Sequence, residues 1–273
     1  MEELSVWEAL LLAAGLGIQP VGAEPPSSAL RQHLLRPARE AFVLQSQAQL
    51  RQFRWDAQAA DLQDALKQRQ AQVALPKYQF TSVQVQAVDV VGPGMTNHLS
   101  LSFQTEKMPQ QSAWLIKGQT QLSLFGKEIQ GHGETVWYPS LGGVQGWNDS
   151  TIDSERWRFK QVSQWIFPLP DGSLPRHFTV QTQTENRSLT ALARAKIDTN
   201  DLQCQSSEPY LGRQVHANIK GKVQQVTCQR LLNGEPIFET DVLYLMDYQY
   251  HLPTGDYFAG RRWQWQVTEF TGI

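Results

Sequence analysis

The segment Val83-Gln84-Val85-Gln86-Ala87 decides the fold class, because its apolar residues occupy every second position and polar residues lie between them. A period of two predicts a β-strand with one buried face and one solvated face. Similar alternating or apolar runs follow along the chain, separated by turn signals rich in Gly, Pro and Asn. They predict ten strands, at residues 83–87, 99–103, 114–125, 134–138, 157–167, 178–183, 189–197, 215–231, 237–250 and 263–270.

Several of these segments occur twice in the same order. Leu-Pro-Lys-Tyr-Gln-Phe-Thr at 75–81 is echoed by Leu-Pro-Arg-His-Phe-Thr at 174–179. Ile-Lys-Gly at 116–118 recurs at 219–221, and Gln-Val-Ser-Gln-Trp at 161–165 is matched by Gln-Val-Thr-Glu-Phe at 266–270. We therefore predict an internal duplication of about five strands.

Duplication allows two architectures. Two tandem five-strand β units, at 75–170 and 171–273, could each close a small sheet of their own. Alternatively, both halves could join into one ten-strand barrel with an apolar interior. The stiff, Pro-rich linker at 167–175 favours two units. With the helix described next, the predicted fold is mainly β with a long N-terminal helix, in the α+β class.

Residues 28–74 predict a helical neck ahead of the strands, since the stretch has no Gly and its one Pro, Pro37, suits the first turn of a helix. We expect a short helix near 28–35 and a long one from about 37 to 73. Leu50, Phe53 and Ala57 belong to a narrow apolar stripe at helical spacing. We expect this stripe to bind a protein partner or a second copy of the chain. Packing on the chain's own sheet is the alternative.

The first 27 residues predict a leader segment. An apolar run from Ala9 to Ala23 precedes Glu24-Pro25-Pro26, as in an export signal with a small-residue cleavage site. Two acids, Glu2 and Glu3, stand where a signal has basic residues. The alternative is an amphipathic leader on a cytoplasmic protein. Glycines and polar residues within the run argue against a membrane span.

Cys204 and Cys228 are the two cysteines of the chain. In an exported protein such a pair predicts one disulfide, and in the cytoplasm two reduced thiols. Neither belongs to a Cys-x-x-Cys motif, which argues against zinc binding and thioredoxin-type chemistry.

The charge balance argues against a nucleic-acid-binding face, because 24 basic residues stand against 26 acidic ones. The sequence has no phosphate-binding loop, dinucleotide-binding glycine motif, hydrolase nucleophile elbow or zinc-protease motif. We therefore predict no cofactor and no metal.

His132 and Glu134 would share one face of a strand, as an acid/base or metal-binding pair requires. The flanking glycines are more typical of a solvated bulge. An acidic cluster beside two tryptophans suggests a sugar-cleaving carboxylate pair, but its sequence is more typical of a turn. The cluster consists of Asp149, Asp153 and Glu155, beside Trp147 and Trp157.

Tryptophans are concentrated in the closing strand of each half. They predict core filling, or an apolar pocket for a ligand, and are Trp157, Trp165, Trp263 and Trp265. Basic residues flank them, and we interpret these as solvated charges that protect edge strands. They are Arg156, Arg158 and Lys160 in the first half and Arg261 and Arg262 in the second.

These observations predict a non-enzymatic protein of the bacterial cell envelope or periplasm that binds other proteins as an assembly or accessory factor. The alternative is a β-barrel carrier of an apolar ligand, a lipid or a pigment. A cytoplasmic location follows if the N-terminus is not a signal.

Overall fold

The alternating segments form strands, and the chain is mainly β. The computed structural model describes residues 28–54, 58, 60, 62–64, 67–68, 76–92, 95–108, 113–124, 127–139, 142–151, 153–164, 166, 168–189, 195–232, 235–258 and 261–272. A helix, α1 (Ser28–Arg51), precedes the sheet, and residues 60, 62–64 and 67–68 between it and the first strand are also helical. Thirteen strands follow: β1 Phe80–Gly92, β2 Met95–Lys107, β3 Trp114–Leu124, β4 Lys127–Tyr138, β5 Gly142–Ser150, β6 Ser154–Gln164, β7 His177–Ser188, β8 Lys196–Ser206, β9 Tyr210–Leu211, β10 Lys222–Leu232, β11 Glu235–Leu245, β12 Tyr250–Phe258 and β13 Arg261–Gly272.

Twelve of these strands form a closed antiparallel barrel. Neighbours along the chain pair with each other from β1 to β8, β8 pairs with β10, and the order continues through β11, β12 and β13. β13 then pairs with β1, with Phe270 opposite Val83. The two-residue strand β9 adds to the start of β10. The barrel alternative therefore describes the molecule, with twelve strands instead of ten.

Two tandem sheets are not what the structure shows, because β6 pairs with β7 across the proline-rich linker. The ranges 75–170 and 171–273 are two halves of one sheet. The first repeated segment leads into the first strand of each half, β1 and β7, and residues 161–164 and 266–270 of the third lie in the last, β6 and β13. Ile116-Lys117-Gly118, however, lies inside β3, whereas Ile219-Lys220-Gly221 lies in the turn before β10. The duplication stays a prediction.

The inner face of the barrel carries the core. On β1, Val83, Val85 and Ala87 are at most 4% exposed, whereas Gln86 between them is exposed. The same alternation continues with Leu101 and Phe103 on β2, both fully buried. Burying one face of every strand sets the register of the ladder, since a one-residue slip would turn the core toward water.

The tip of the β11–β12 hairpin is buried on both faces. Leu243, Leu245 and Leu252 pack in one apolar cluster with β1 to β3, whereas Val242 and Tyr244 pack in another with β8 and β10. Tyr250 contacts Phe80 and, at a ring distance of 4.7 Å, Trp137 of β4. Because β12 and β4 are far apart around the ring, the hairpin tip reaches across the interior.

Helix α1 is shorter than the predicted long helix and continues through Pro37, where a break was expected. It ends at Arg51, and Phe53 and Arg54 are not helical. Leu50 and Phe53 are 2% and 4% exposed and pack on the outer face of the chain's own barrel, against Val136, Tyr138 and Trp147.

This packing corrects the prediction that Leu50 and Phe53 face another chain. The physical reason is that apolar side chains on the outer face of β4 and β5 also need cover. Ala57 and the leader at 1–27 lie outside the described residues. Among the described helical residues, no segment is both long and apolar enough to cross a membrane.

A disulfide joins Cys204 of β8 to Cys228 of β10, as the export hypothesis predicted. The two residues are directly opposite in the ladder, with their Cα atoms 4.0 Å apart. The bond closes a loop with a sequence separation of 24 residues that contains β9.

We expect Phe53→Ala to lower the free energy of unfolding by about 3 kcal/mol, since it removes a buried aromatic ring and leaves a cavity. The control is Leu44→Ala on α1, because Leu44 is 66% exposed. Urea unfolding measures both variants, and hydrogen exchange of α1 shows whether the helix undocks. Equally small losses of unfolding free energy in both variants would contradict the packing of Phe53 on the barrel.

Replacing both cysteines with Ala should lower the free energy of unfolding by about 3 kcal/mol, because the unfolded chain then loses its closed loop. Wild-type protein with a reductant should unfold at the same urea concentration as the double variant. If reductant left the urea midpoint of wild type unchanged, the disulfide would not contribute to stability.

Candidate functional site

The histidine and carboxylate pair on β4 supports a tryptophan and forms no reactive centre in the described structure. Glu134 Oε2 accepts a hydrogen bond from Trp147 Nε1 at 3.2 Å. The His132 ring meets the Trp147 ring edge-on, at a centroid distance of 5.4 Å. Both residues lie on the outer face of the barrel, where Trp147 packs with α1.

The acidic cluster at the β5–β6 turn stabilises that turn and pairs with the middle of α1. Asp149 forms an ion pair with Arg39 of α1, at 2.5 Å. Asp153 accepts hydrogen bonds from the Ser154 backbone and from the Ser188 hydroxyl. Within the described residues, no three His, Cys, Asp or Glu side chains come close enough to hold a metal ion.

The predicted aromatic residues are partly described. Trp157 and Trp265 are 3% and 7% exposed, and both belong to the buried face of their strands. The backbone of Trp263 lies in β13 opposite Asp256, and its side chain lies outside the described atoms, as does all of Trp165. The structure thus places two of the four in the core.

A cleft lies between the C-terminal end of α1 and strands β5, β6 and β7, with a volume of about 410 Å³. We call it the α1 cleft. This volume is within the range of small-molecule sites in proteins. Four arginines and one glutamate line it, together with several glutamines: the charged residues are Arg54, Arg156, Arg158, Glu185 and Arg187.

Glu185 organises the basic side of the α1 cleft. Its side chain is 7% exposed and forms ion pairs with Arg158 at 2.9 Å, Arg187 at 3.0 Å and Lys160 at 3.0 Å. Burial by itself raises the pKa of this carboxyl. The hydrogen bonds from Arg158, Lys160 and Arg187 outweigh that effect and lower the pKa from 4.5 to about 2. One carboxylate therefore holds three cations at the mouth of the cleft.

Arg156 lies between this group and α1 and has no carboxylate partner within 4 Å among the described residues. Its guanidinium donates to the side-chain oxygens of Gln45 and Gln49, at 3.2 and 3.3 Å, and lies over the Phe42 ring. Burial lowers the pKa of Arg156, and repulsion from Arg187 lowers it further. A cation that is partly desolvated beside other cations favours the binding of an anion.

A second groove lies on the other side of α1, with a volume of about 710 Å³. Arg39 and Asp149, which line it, are joined by their ion pair, and Arg36 pairs with Glu40 at 3.0 Å. Because these charges already have partners, this groove offers less to a charged ligand than the α1 cleft does.

Sequence reasoning named Arg156, Arg158 and Lys160 but interpreted them as edge-strand charges. A closed ladder leaves no edge at β6, and alternate positions point all three side chains to the outer face. The Arg-x-Arg-x-Lys spacing was therefore a usable signal. The sequence analysis missed Glu185. The register between β6 and β7 places it opposite Arg158, and that register depends on the turn between the two strands.

Comparisons with known proteins assign no activity to the chain. The sequence matches no protein family and no curated protein. Among solved structures it is similar to the β-barrel-like protein of domain of unknown function DUF1849 from Brucella abortus, with 8% sequence identity and a TM-score of 0.47. The similarity covers 74% of this chain and 99% of that one.

Acid should remove the stability that Glu185 contributes. The folded carboxylate stays charged down to a pKa of about 2, whereas the unfolded one takes up a proton near 4.5, so the contribution is present above pH 5 and lost as the pH falls toward 2. Over that range wild type should lose on the order of 2 kcal/mol more than Glu185→Gln. The full pKa shift would give more, but solvent screens the half-exposed arginines.

Urea unfolding of both proteins at several pH values measures this difference. Glu208→Gln serves as the control, since the Glu208 side chain is 87% exposed. Parallel stability curves for wild type and Glu185→Gln would rule out the ion-pair cluster as an acid-sensitive element.

Proposed function

We propose that this protein is a non-enzymatic β-barrel binding protein that holds an anionic ligand in the α1 cleft. The observation that carries the proposal is Arg156, a partly buried guanidinium with amide partners and no described carboxylate within ion-pair distance. Carboxylate and phosphate groups share the oxygen geometry that a guanidinium binds with two hydrogen bonds.

Glu185 supports this role because it fixes the arginines beside Arg156. Arg158 donates to the same Glu185 oxygen from two nitrogens, at 3.2 and 2.9 Å, which holds its guanidinium in one orientation. A ligand that finds its cations already ordered loses less side-chain entropy on binding. The excess of arginines over glutamate leaves the cleft positive when Glu185 is ionised.

The α1 cleft favours an anionic ligand in place of the apolar one that the carrier hypothesis expects, and the assembly hypothesis loses its main surface. Leu50 and Phe53, the residues proposed to bind another protein, cover the chain's own barrel instead. We keep a cell-envelope or periplasmic location as part of the proposal. The disulfide supports it, because disulfides persist in oxidising compartments.

Inorganic phosphate and citrate test the anion site directly, one probe for each kind of oxyanion. We expect isothermal titration calorimetry to show that Arg156→Gln weakens binding of the preferred probe about tenfold, since one charge-assisted hydrogen bond contributes about 1.5–3 kcal/mol. Arg36→Gln is the matched control, an exposed arginine of α1 outside the cleft. Binding that is unaffected by Arg156→Gln, or equally affected by both variants, would refute the proposal.

A further inference from the structure

Strands β5 and β6 stop pairing at the α1 cleft. Gln145 and Arg158 form their last pair, although β5 begins at Gly142 and β6 continues to Gln164. At this point the cleft is lined by arginines of the outer face and also by Gly146 and Trp157 of the inner face. The α1 cleft therefore reaches the inner wall of the barrel.

Polar atoms without a hydrogen-bond partner in the described structure cluster on this inner wall. They are Thr135 Oγ1, Trp157 Nε1, Thr184 Oγ1 and Asn186 Oδ1. Thr135, Gly146, Trp157 and Asn186 lie opposite one another in a single row across β4 to β7. Thr184 lies two residues before Asn186 on the same face of β7.

The first two of these atoms converge on the glycine that lines the cleft. A Cβ atom on Gly146 would lie 2.8 Å from Trp157 Nε1 and 2.9 Å from Thr135 Oγ1. Thr135, Trp157 and Thr184 are at most 3% exposed. Because Gly146 has no side chain, these two unpaired atoms lie next to a residue that lines the cleft.

Such a cluster destabilises the unliganded barrel. A buried donor or acceptor that loses water and gains no partner costs free energy, and valine would fill the threonine positions without that cost. In proteins, departures of this kind from a well-paired core concentrate at functional sites. Their position beside an arginine-lined cleft indicates a ligand that supplies the missing partners.

We infer that these inner-wall atoms bind the body of the ligand whose anionic group the arginines hold, an inference that rests on the proposed function. Trp157 donates a hydrogen bond, Asn186 Oδ1 accepts one, and the threonine hydroxyls do both. The ligand is therefore an organic acid with hydroxyl or carbonyl groups on its body. A fatty acid has no polar group on its hydrocarbon chain, so it would leave all four atoms without a hydrogen-bond partner. Because Thr135 is fully buried, ligand binding there requires the neighbouring Trp157 ring to move.

Two probes with the same carbon skeleton separate these classes. Cholate and 5β-cholanate each carry one carboxylate, and cholate alone carries hydroxyl groups. We expect wild type to bind cholate at least about tenfold more tightly than 5β-cholanate, the factor that about 1.4 kcal/mol of hydrogen bonding gives. Arg156→Gln should weaken both probes by the same factor.

Thr135→Val gives the sharpest variant, because it should change stability and affinity in opposite directions. Without ligand its Tm should rise by about 2 °C, since an unpaired buried hydroxyl is removed. Its affinity for cholate should fall about fivefold to tenfold, with little change for 5β-cholanate. Thr120→Val is the matched control: Thr120 Oγ1 is buried and unpaired too, but Thr120 lies on β3, outside the row of residues that includes Gly146 of the cleft. That variant should gain stability and keep its affinity for cholate.

The outcomes distinguish this inference from the proposed function. Equal binding of the two probes, a cholate affinity that Thr135→Val leaves unchanged, or a Tm that Thr135→Val lowers would each overturn the inference. So would failure of both probes to bind while phosphate or citrate binds through Arg156, a result that leaves the proposed function in place. If Arg156→Gln left the binding of all these probes unchanged, both the inference and the proposed function would be overturned.

Discussion

The pairing of β13 with β1 is the constraint on which the rest of the structure depends. It joins the last strand of the chain to the first and removes both edges that an open sheet would expose. Closure gives each strand an inner and an outer face, and so decides which residues of an alternating segment meet in the core. It also provides the outer face of β4 to β6 on which α1 lies. The α1 cleft exists because the helix covers only part of that face.

Much of the fold could be predicted from strict alternation, as at Val83, Val85 and Ala87. Strand β5 was missed, since Gly142, Gly143 and Asn148 are typical of turns. Strand β12 was missed for a similar reason, because Pro253 and Gly255 interrupt it. In both, pairing with neighbours on two sides overrides local preference. Closure itself could not be read from the sequence, because nothing local distinguishes a strand that pairs with a distant one.

The candidate site was less predictable than the fold. Arg156 and Arg158 could be assigned to one strand face, but their neighbours Glu185 and Gln49 come from segments about 30 and 110 residues away, and only folding brings them together. The unpaired atoms of Thr135 and Trp157 were also invisible in the sequence, where both residues are ordinary strand formers. The proposed ligand would gain affinity from the same unpaired atoms that cost the unliganded barrel stability.

The hairpin tip that crosses the interior has a consequence for biosynthesis. Tyr250 packs against Phe80 and Trp137, so chain segments made far apart in time meet at one place. Residues 93–260 are made before β13, the second partner of β1, exists. Pairing of β13 with β1 is slow, because the chain between them loses the conformational entropy of a very long loop before the new hydrogen bonds form. Until then β1 has an unpaired edge rich in Val, the type of edge on which chains aggregate.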